Sequence, residues 1–342
     1  MTTTSAEDSS VSASLFSKVP GLADLVELLR ADAQLVDQSA IVPAGHFDAV
    51  ARAGLYGAAA AREVGGLDLD FEEMCLLVEL LASACLTTTF VWIQHFRLVR
   101  AACEGDAPRL LSTRRARLVS GELKGGISLT ASLPGPPLLR ALRRDDQWVL
   151  TGTSPWVSGW GIVNELVVSA RTERDTVASF LCDATESPGL RATPLRLSAM
   201  NASATVTLTF EEFVVPADRL IDDTPYDSGP ERPEGLRVNG SLALGVARRC
   251  LEILGPSALD DELVLVRRTL DGAGIDGIGP ARAAAAALGV RCAHALSVAR
   301  GSRSALWGDV AERSTREASL LLVFGSRPSI KRALLEELRG GS

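Results

Sequence analysis

Lysine is nearly missing from this 342-residue chain. Only Lys18, Lys124 and Lys331 occur, so the other basic residues are arginines, a bias that with the alanine richness reads as genomic GC content rather than an anion site. With 35 basic against 42 acidic residues the net charge is −7 and the pI about 5.2, which argues against a sequence-independent grip on nucleic acid or anionic lipid. The six cysteines (Cys75, Cys85, Cys103, Cys182, Cys250, Cys292) form no CxxC pair, excluding a disulfide framework or zinc knuckle and suggesting buried free thiols in a reducing cytoplasm. His46, His95 and His294 show no ligand spacing, so no metal is expected. No uninterrupted apolar run reaches about 18 residues: the densest, Ala281 to Leu296, is broken by Arg282, Arg291 and His294. No internal repeat is visible either.

A hydrophobic share of 46%, 23% charged residues and a mean hydropathy of +0.17 describe a folded chain of two or three modules. Residues 1–20 are Ser/Thr-rich and acidic, without the basic and apolar regions of a secretory signal, and read as a disordered lead. Residues 21–124 carry apolar positions every three or four residues, the helical period. Within them Gly65-Gly66 is a helix stop and Asp70 is placed to cap the next helix.

Near Gly125 the period changes. ISLTAS, QWVLTGTSPWVS, ELVVSART, VASFLCD and ATVTLTFEEFVVP are short β-type runs separated by turn residues, so residues 125–222 predict a compact antiparallel barrel or sandwich. After the linker DDTPYDSGPERPEG the helical period returns over 236–342. The expected fold is α+β: an N-terminal helical domain, a middle antiparallel β-barrel domain and a C-terminal helical bundle.

The order of EVGGLDLD, GISLTAS, GTSPWVSGWG and LRLSAMNASATVTLTFEEFVVPADRLI resembles the acyl-CoA dehydrogenase family from about Pro43 onward. That resemblance implies FAD against the β domain. Leu129, Thr130 and Ala131 stand at the family's "L-T-E" strand, whose threonine and amides bond the pyrimidine edge of the flavin. Trp156, Val157 and Ser158 stand at its "W-I-T/S", the tryptophan beside the ring and the hydroxyl near N5. Such donors suit a ring that gains negative charge on taking a hydride.

The acyl-carrier side departs from the pattern. Ala131-Ser132-Leu133-Pro134-Gly135-Pro136-Pro137 replaces a Glu-Pro and Gly-Ser turn, and Ser154 replaces a lysine. Arg313 to Leu338 lies without a gap on the family's last motif, with Arg316-Glu317-Ala318 on R-D-A, Val323-Phe324 on I-Y and Ile330-Lys331-Arg332 on I-Q-R. The glutamate that removes the substrate's α-proton in most members then falls on Gly325, which has no side chain to accept a proton. In other members the base opens the first C-terminal helix; that position falls near Gly235, leaving neighbouring Glu234 as the candidate catalytic carboxylate. The inter-subunit "Q-x-x-G-G" turn retains only Gly301, and the "R-x-x-F-G" arginine has no counterpart unless Arg267 or Arg268 substitutes.

The resemblance therefore implies an FAD-binding oxidoreductase acting on the CH–CH group of an acyl-CoA or acyl-carrier thioester with a displaced or altered base. Two alternatives stand beside it: a non-catalytic or partner-dependent subunit of a hetero-oligomeric dehydrogenase, and a flavin-dependent oxidase or oxygenase on the same fold. A cytoplasmic homodimer, tetramer or hetero-oligomer with a second family member, without nucleic-acid or membrane partners, is the accompanying expectation.

Overall fold

Residues 14–104, 108–133, 135–226, 233–325 and 327–339 are described by the structure, a computed structural model. Residues 1–13, and with them most of the lead, lie outside the described residues. From Ser14 the chain is helical, and Leu15 and Val19 are buried, so the lead expected to be disordered to residue 20 is anchored over its last third. Lys18 Nζ holds it at 2.5 Å from Glu73 Oε1.

Helices α1 (Leu22–Ser39) and α2 (Ala44–Arg52) precede a turn in which Gly65 takes φ +90, the left-handed conformation glycine adopts at little cost. Helix α3 (Phe71–Ala84) then starts on the expected cap. The Asp70 carboxylate accepts from Glu73 N at 2.9 Å while Glu73 accepts from Asp70 N at 3.2 Å, a complete capping box. Helix α4 (Leu86–Ile93) is buried on every face. Helices α5 (Phe96–Cys103), α6 (Arg109–Ser112) and α7 (Arg115–Val119) complete the first helical layer.

The middle region is one eight-stranded sheet: β1 (Gly125–Ser128), β2 (Leu139–Arg144), β3 (Gln147–Val157), β4 (Glu165–Thr172), β5 (Thr176–Asp183), β6 (Leu190–Pro194), β7 (Val206–Pro216) and β8 (Leu220–Pro225). The order is β6-β7-β3-β2-β4-β5-β8, with β1 beside β4. The sheet is mixed, not purely antiparallel as expected, because β1 and β2 both run parallel to β4. Alternation reports which face is buried and not which neighbour a strand takes, so the sequence could not distinguish the two. Strand β8 carries the sheet to Pro225, past the expected boundary at 222.

Helix α8 (Pro233–Leu254) opens three residues before the expected start of the C-terminal region and is followed by α9 (Ala258–Asp271), α10 (Ile278–Arg300), α11 (Val310–Val323) and α12 (Pro328–Leu338). The two helical regions share one core rather than each having its own. Helices α3 and α8 meet so closely that a Cβ at Gly245 would stand 2.6 Å from Ala82 Cβ and 2.7 Å from the Glu79 carbonyl, which only glycine avoids. The same junction holds a buried ion pair. Arg267 on α9 donates from Nε (2.9 Å) and Nη2 (2.7 Å) to the fully buried Glu79 carboxylate on α3, so it faces inward and not toward a cofactor in a neighbouring subunit.

All six cysteines are free. Burial pushes the Cys75 thiol up to about 11 and those of Cys182 and Cys292 to about 12, which keeps them protonated and unreactive. Among the described residues no cluster of His, Cys, Asp or Glu could hold a metal, and no helix is long and apolar enough to cross a membrane.

Candidate functional site

Strand β1 ends at Ser128, and Leu129 leads into a 3-10 turn over Thr130–Ser132. Thr130 and Ala131 are buried there. Ser154, which replaces the family's lysine, is fully buried on β3 between two hydroxyls: Ser128 Oγ donates to Ser154 Oγ at 2.7 Å, and Ser154 Oγ bonds Thr130 Oγ1. Arg171 on β4 fastens the turn from behind. Its Nη2 donates to the Ala131 carbonyl at 3.0 Å and its Nη1 to Asp175 at 2.8 Å, with the guanidinium carbon 3.2 Å from the Tyr226 ring centroid.

Trp156 and Ser158 stand at the far end of β3, where the pairing with β7 slips between Ser154 and Val157. The irregularity puts Trp156 at φ +66, a conformation a bulky residue adopts only when its surroundings impose it. Its indole is 66% exposed while Val157 and Ser158 on either side of the following bond are buried, so a large aromatic face is offered outward from a fixed backbone. Ser158 Oγ bonds Thr205 Oγ1 at 2.7 Å, and Thr205 Oγ1 bonds Ser203 Oγ at 2.7 Å.

Each of these two buried chains has three hydroxyls joined by two hydrogen bonds. Three O–H groups supply three protons and the two bonds use two, so each chain keeps one proton to donate outside itself.

Helix α4 joins this surface to the C-terminal helices. Val91 lies 3.4 Å from the Cβ position of Gly159, next to Ser158, and Phe90 meets Phe324 edge-on with ring centroids 4.8 Å apart. After Phe324, Gly325 turns the chain at φ +59. A Cβ built there stands 3.4 Å from Asn239 Nδ2, on α8. The position assigned to the base thus faces a neutral amide.

Gly235 and Asn239 are one helical turn apart and share a face of α8, whereas Glu234 is rotated from Asn239 by about 140° at about 100° per residue. Glu234 is exposed in the first turn of the helix, where its charge suits the helix dipole. Thr130 is thus tied to β3 through Ser154, the segment after Ser158 and the residue before Gly325 both touch α4, and Glu234 points away from Asn239. Asn239, Arg171, Ser203 and Thr205 were not singled out in the sequence. Asn239 alone had a signal there, its i+4 spacing from Gly235.

A helical layer, a central sheet and a second helical layer, with the site between sheet and helices, is the architecture of flavin-linked acyl-CoA dehydrogenases. Residues 25–102 match the family described as "Acyl-CoA dehydrogenase, N-terminal domain". Butyryl-CoA dehydrogenase of Megasphaera elsdenii superposes with a TM-score of 0.80 at 16% identity, covering 96% of this chain and 98% of that one. KijD3 in complex with FMN and a dTDP-linked amino sugar superposes at 0.76 with 19% identity, covering 95% and 94%. Among curated relatives, the probable acyl-CoA dehydrogenase YngJ of Bacillus subtilis is 26% identical over 239 residues, 64% of this chain. That match spans only 61% of YngJ's own length. In its N-terminal region the chain is similar to the acyl-CoA dehydrogenase family, and its fold is the one those structures share.

Proposed function

We propose that this protein is a flavin-binding oxidoreductase, taking FAD, that acts on an acyl thioester or related carbonyl-bearing small molecule without a proton-abstracting carboxylate of its own at position 325. One arrangement supports the reading: α4 touches both the strand end that carries two buried hydroxyl chains and an exposed indole and the Gly325 turn backed by the Asn239 amide.

The residues fit a flavin. A bound flavin supplies hydride acceptance at N5. Ser158, Thr130 and the amides of the 129–131 turn are the donors that would hold its polar edge. The exposed Trp156 indole would offer the ring an aromatic face.

On the substrate side Asn239 is neutral throughout the working pH range. It accepts no proton, but its Nδ2 donates a hydrogen bond to a substrate carbonyl and so fixes the carbon next to it. Without a carboxylate, a dehydrogenation here forfeits the ~10²–10⁴ in rate that a positioned base supplies. Such a reaction suits a substrate with an unusually acidic C–H, or a base donated by a partner chain.

A second reading, a flavin oxygenase or oxidase, is favoured by the same Gly325–Asn239 pair, since such chemistry needs no α-deprotonation. The ligands of KijD3, FMN and a nucleotide-linked amino sugar, are compatible with it. Exposed Val298, Leu306 and Trp307 around the turn from α10 to α11 support an oligomer, and the free thiols support a cytoplasmic setting.

The test is to load the purified chain with FAD and mix it anaerobically with short acyl-CoA thioesters, then to follow oxygen uptake by the reduced holoprotein in a separate experiment. Bleaching by a thioester supports the dehydrogenase reading. Substrate-stimulated oxygen consumption without bleaching supports the oxygenase reading. A chain that takes up neither FAD nor FMN overturns both.

A further inference from the structure

Away from the flavin surface, a cleft of about 340 Å³ opens between α1, α8 and the start of α11. It is about 15 Å along α8 from Asn239, since Arg249 in its wall lies ten residues further on at 1.5 Å per residue. Three arginines line it (Arg30, Arg249 and Arg313) against a single carboxylate, Glu252.

Two of those arginines are buried. Arg249 is 5% and Arg313 7% exposed, and they share one carboxylate: Arg249 Nη2 lies 2.5 Å from Glu317 Oε2 and Arg313 Nε 3.9 Å from Glu317 Oε1. The next carboxylates out, Asp37 and Glu312, are both held by Arg316. Buried charges are normally paired and fully hydrogen-bonded. Here Arg249 Nη1 and Arg313 Nε have no hydrogen-bond partner.

The rim adds donors. Gln34 lines the cleft, and a Cβ at Gly308 would collide with the side-chain amides of Gln34 and Gln38, so the glycine, at φ +89, lets them close over the α11 start. That helix directs its N-terminal dipole at the cleft, and its cap Asp309 occupies only the Ala311 amide while its charge is taken by Arg300. Arg30 at the mouth is paired with the exposed Glu252 at 3.0 Å and is free to exchange that partner for a ligand.

We propose that this cleft binds a small tetrahedral oxyanion, of phosphate or sulfate type. Arg249 and Arg313 form its floor, and Arg30 and Gln34 close over it. Arg249 also donates to Ser314 Oγ, from Nε at 3.2 Å and Nη2 at 3.0 Å, whereas Arg313 has only its 3.9 Å contact with Glu317; the oxyanion supplies the hydrogen-bonded acceptor that Arg313 lacks, and planar guanidinium forks match its geometry.

The test uses the full chain, with inorganic phosphate, sulfate or chloride added at matched ionic strength, and reads the melting temperature. Phosphate and sulfate should raise it by several degrees along a saturable curve while chloride does not. Arg30→Ala should weaken apparent phosphate affinity about tenfold, Glu252→Gln should strengthen it, and Arg313→Gln should abolish the shift. If Arg313→Gln does not fold, the two exposed rim variants carry the result. Equal shifts in chloride, or an unchanged phosphate curve in both Arg30→Ala and Glu252→Gln, would overturn the proposal.

Discussion

Replacing Arg267 by methionine should cost roughly 3–5 kcal/mol of stability, the usual range for breaking a buried ion pair from one side. Glu79 is wholly inaccessible and its two oxygens accept from Arg267 Nε and Nη2 at 2.9 and 2.7 Å, so the variant strands a carboxylate in a helical core. Methionine keeps most of the side chain's volume, so the loss reports charge and not a cavity. The double variant Glu79→Leu/Arg267→Met removes both charges and should recover most of that stability. Equilibrium urea unfolding of the wild type, both single variants and the double variant closes the cycle. A loss below about 1 kcal/mol in Arg267→Met, or a double variant no better than the single, would refute the reasoning. Weakened flavin binding at unchanged stability would return Arg267 to the role of a cofactor arginine.

Trp156→Ala and Ser158→Ala should each weaken flavin binding or shift the flavin spectrum, measured by titration, and unchanged spectra would remove the assignment of that surface. Gly325→Glu puts a carboxylate beside Asn239 at roughly 1–2 kcal/mol of left-handed strain, and should confer or raise thioester oxidation, read as anaerobic flavin bleaching. Glu234→Gln should leave turnover unchanged, and its abolition would restore Glu234 as the displaced base. Burial, the largest effect, lowers the His95 pKa to about 4, and the ring fits only as the neutral form, accepting from Gly125 N and donating to the Leu118 carbonyl. Because the unfolded chain binds that proton from about pH 6.5 downward and the folded chain only near 4, stability should fall across that window by about 3 kcal/mol and this contribution should level off below it. His95→Gln should flatten the pH dependence of the urea midpoint.

Features fixed by neighbours along the chain were legible beforehand. The Asp70 cap and its Glu73 partner are three residues apart, the Gly65 turn is a local backbone demand, and the change from helical to strand period at Gly125 is a pattern in the sequence itself. Strand order was not legible, because the parallel placement of β1 and β2 on β4 depends on a crossover that alternation does not encode. Nor was the anchoring of Ser14–Val19, where a polar composition hid two buried apolar residues, Leu15 and Val19, at helical spacing. At the candidate site, the residues read from the resemblance lie in two short segments, but the groups supporting them come from remote strands. Arg171 reaches Ala131 across 40 positions and Thr205 reaches Ser158 across 47, pairings visible only once the sheet has formed.

Flavin titration of the purified chain, followed by absorbance and by quenching of tryptophan fluorescence, tests the central claim most directly. The account predicts saturable uptake of FAD near one per chain, quenching that is weakened in Trp156→Ala, and bleaching by acyl-CoA thioesters that is faster once Gly325 is replaced by glutamate. A chain that binds no flavin, or that binds it equally well without Trp156 and Ser158, would contradict it.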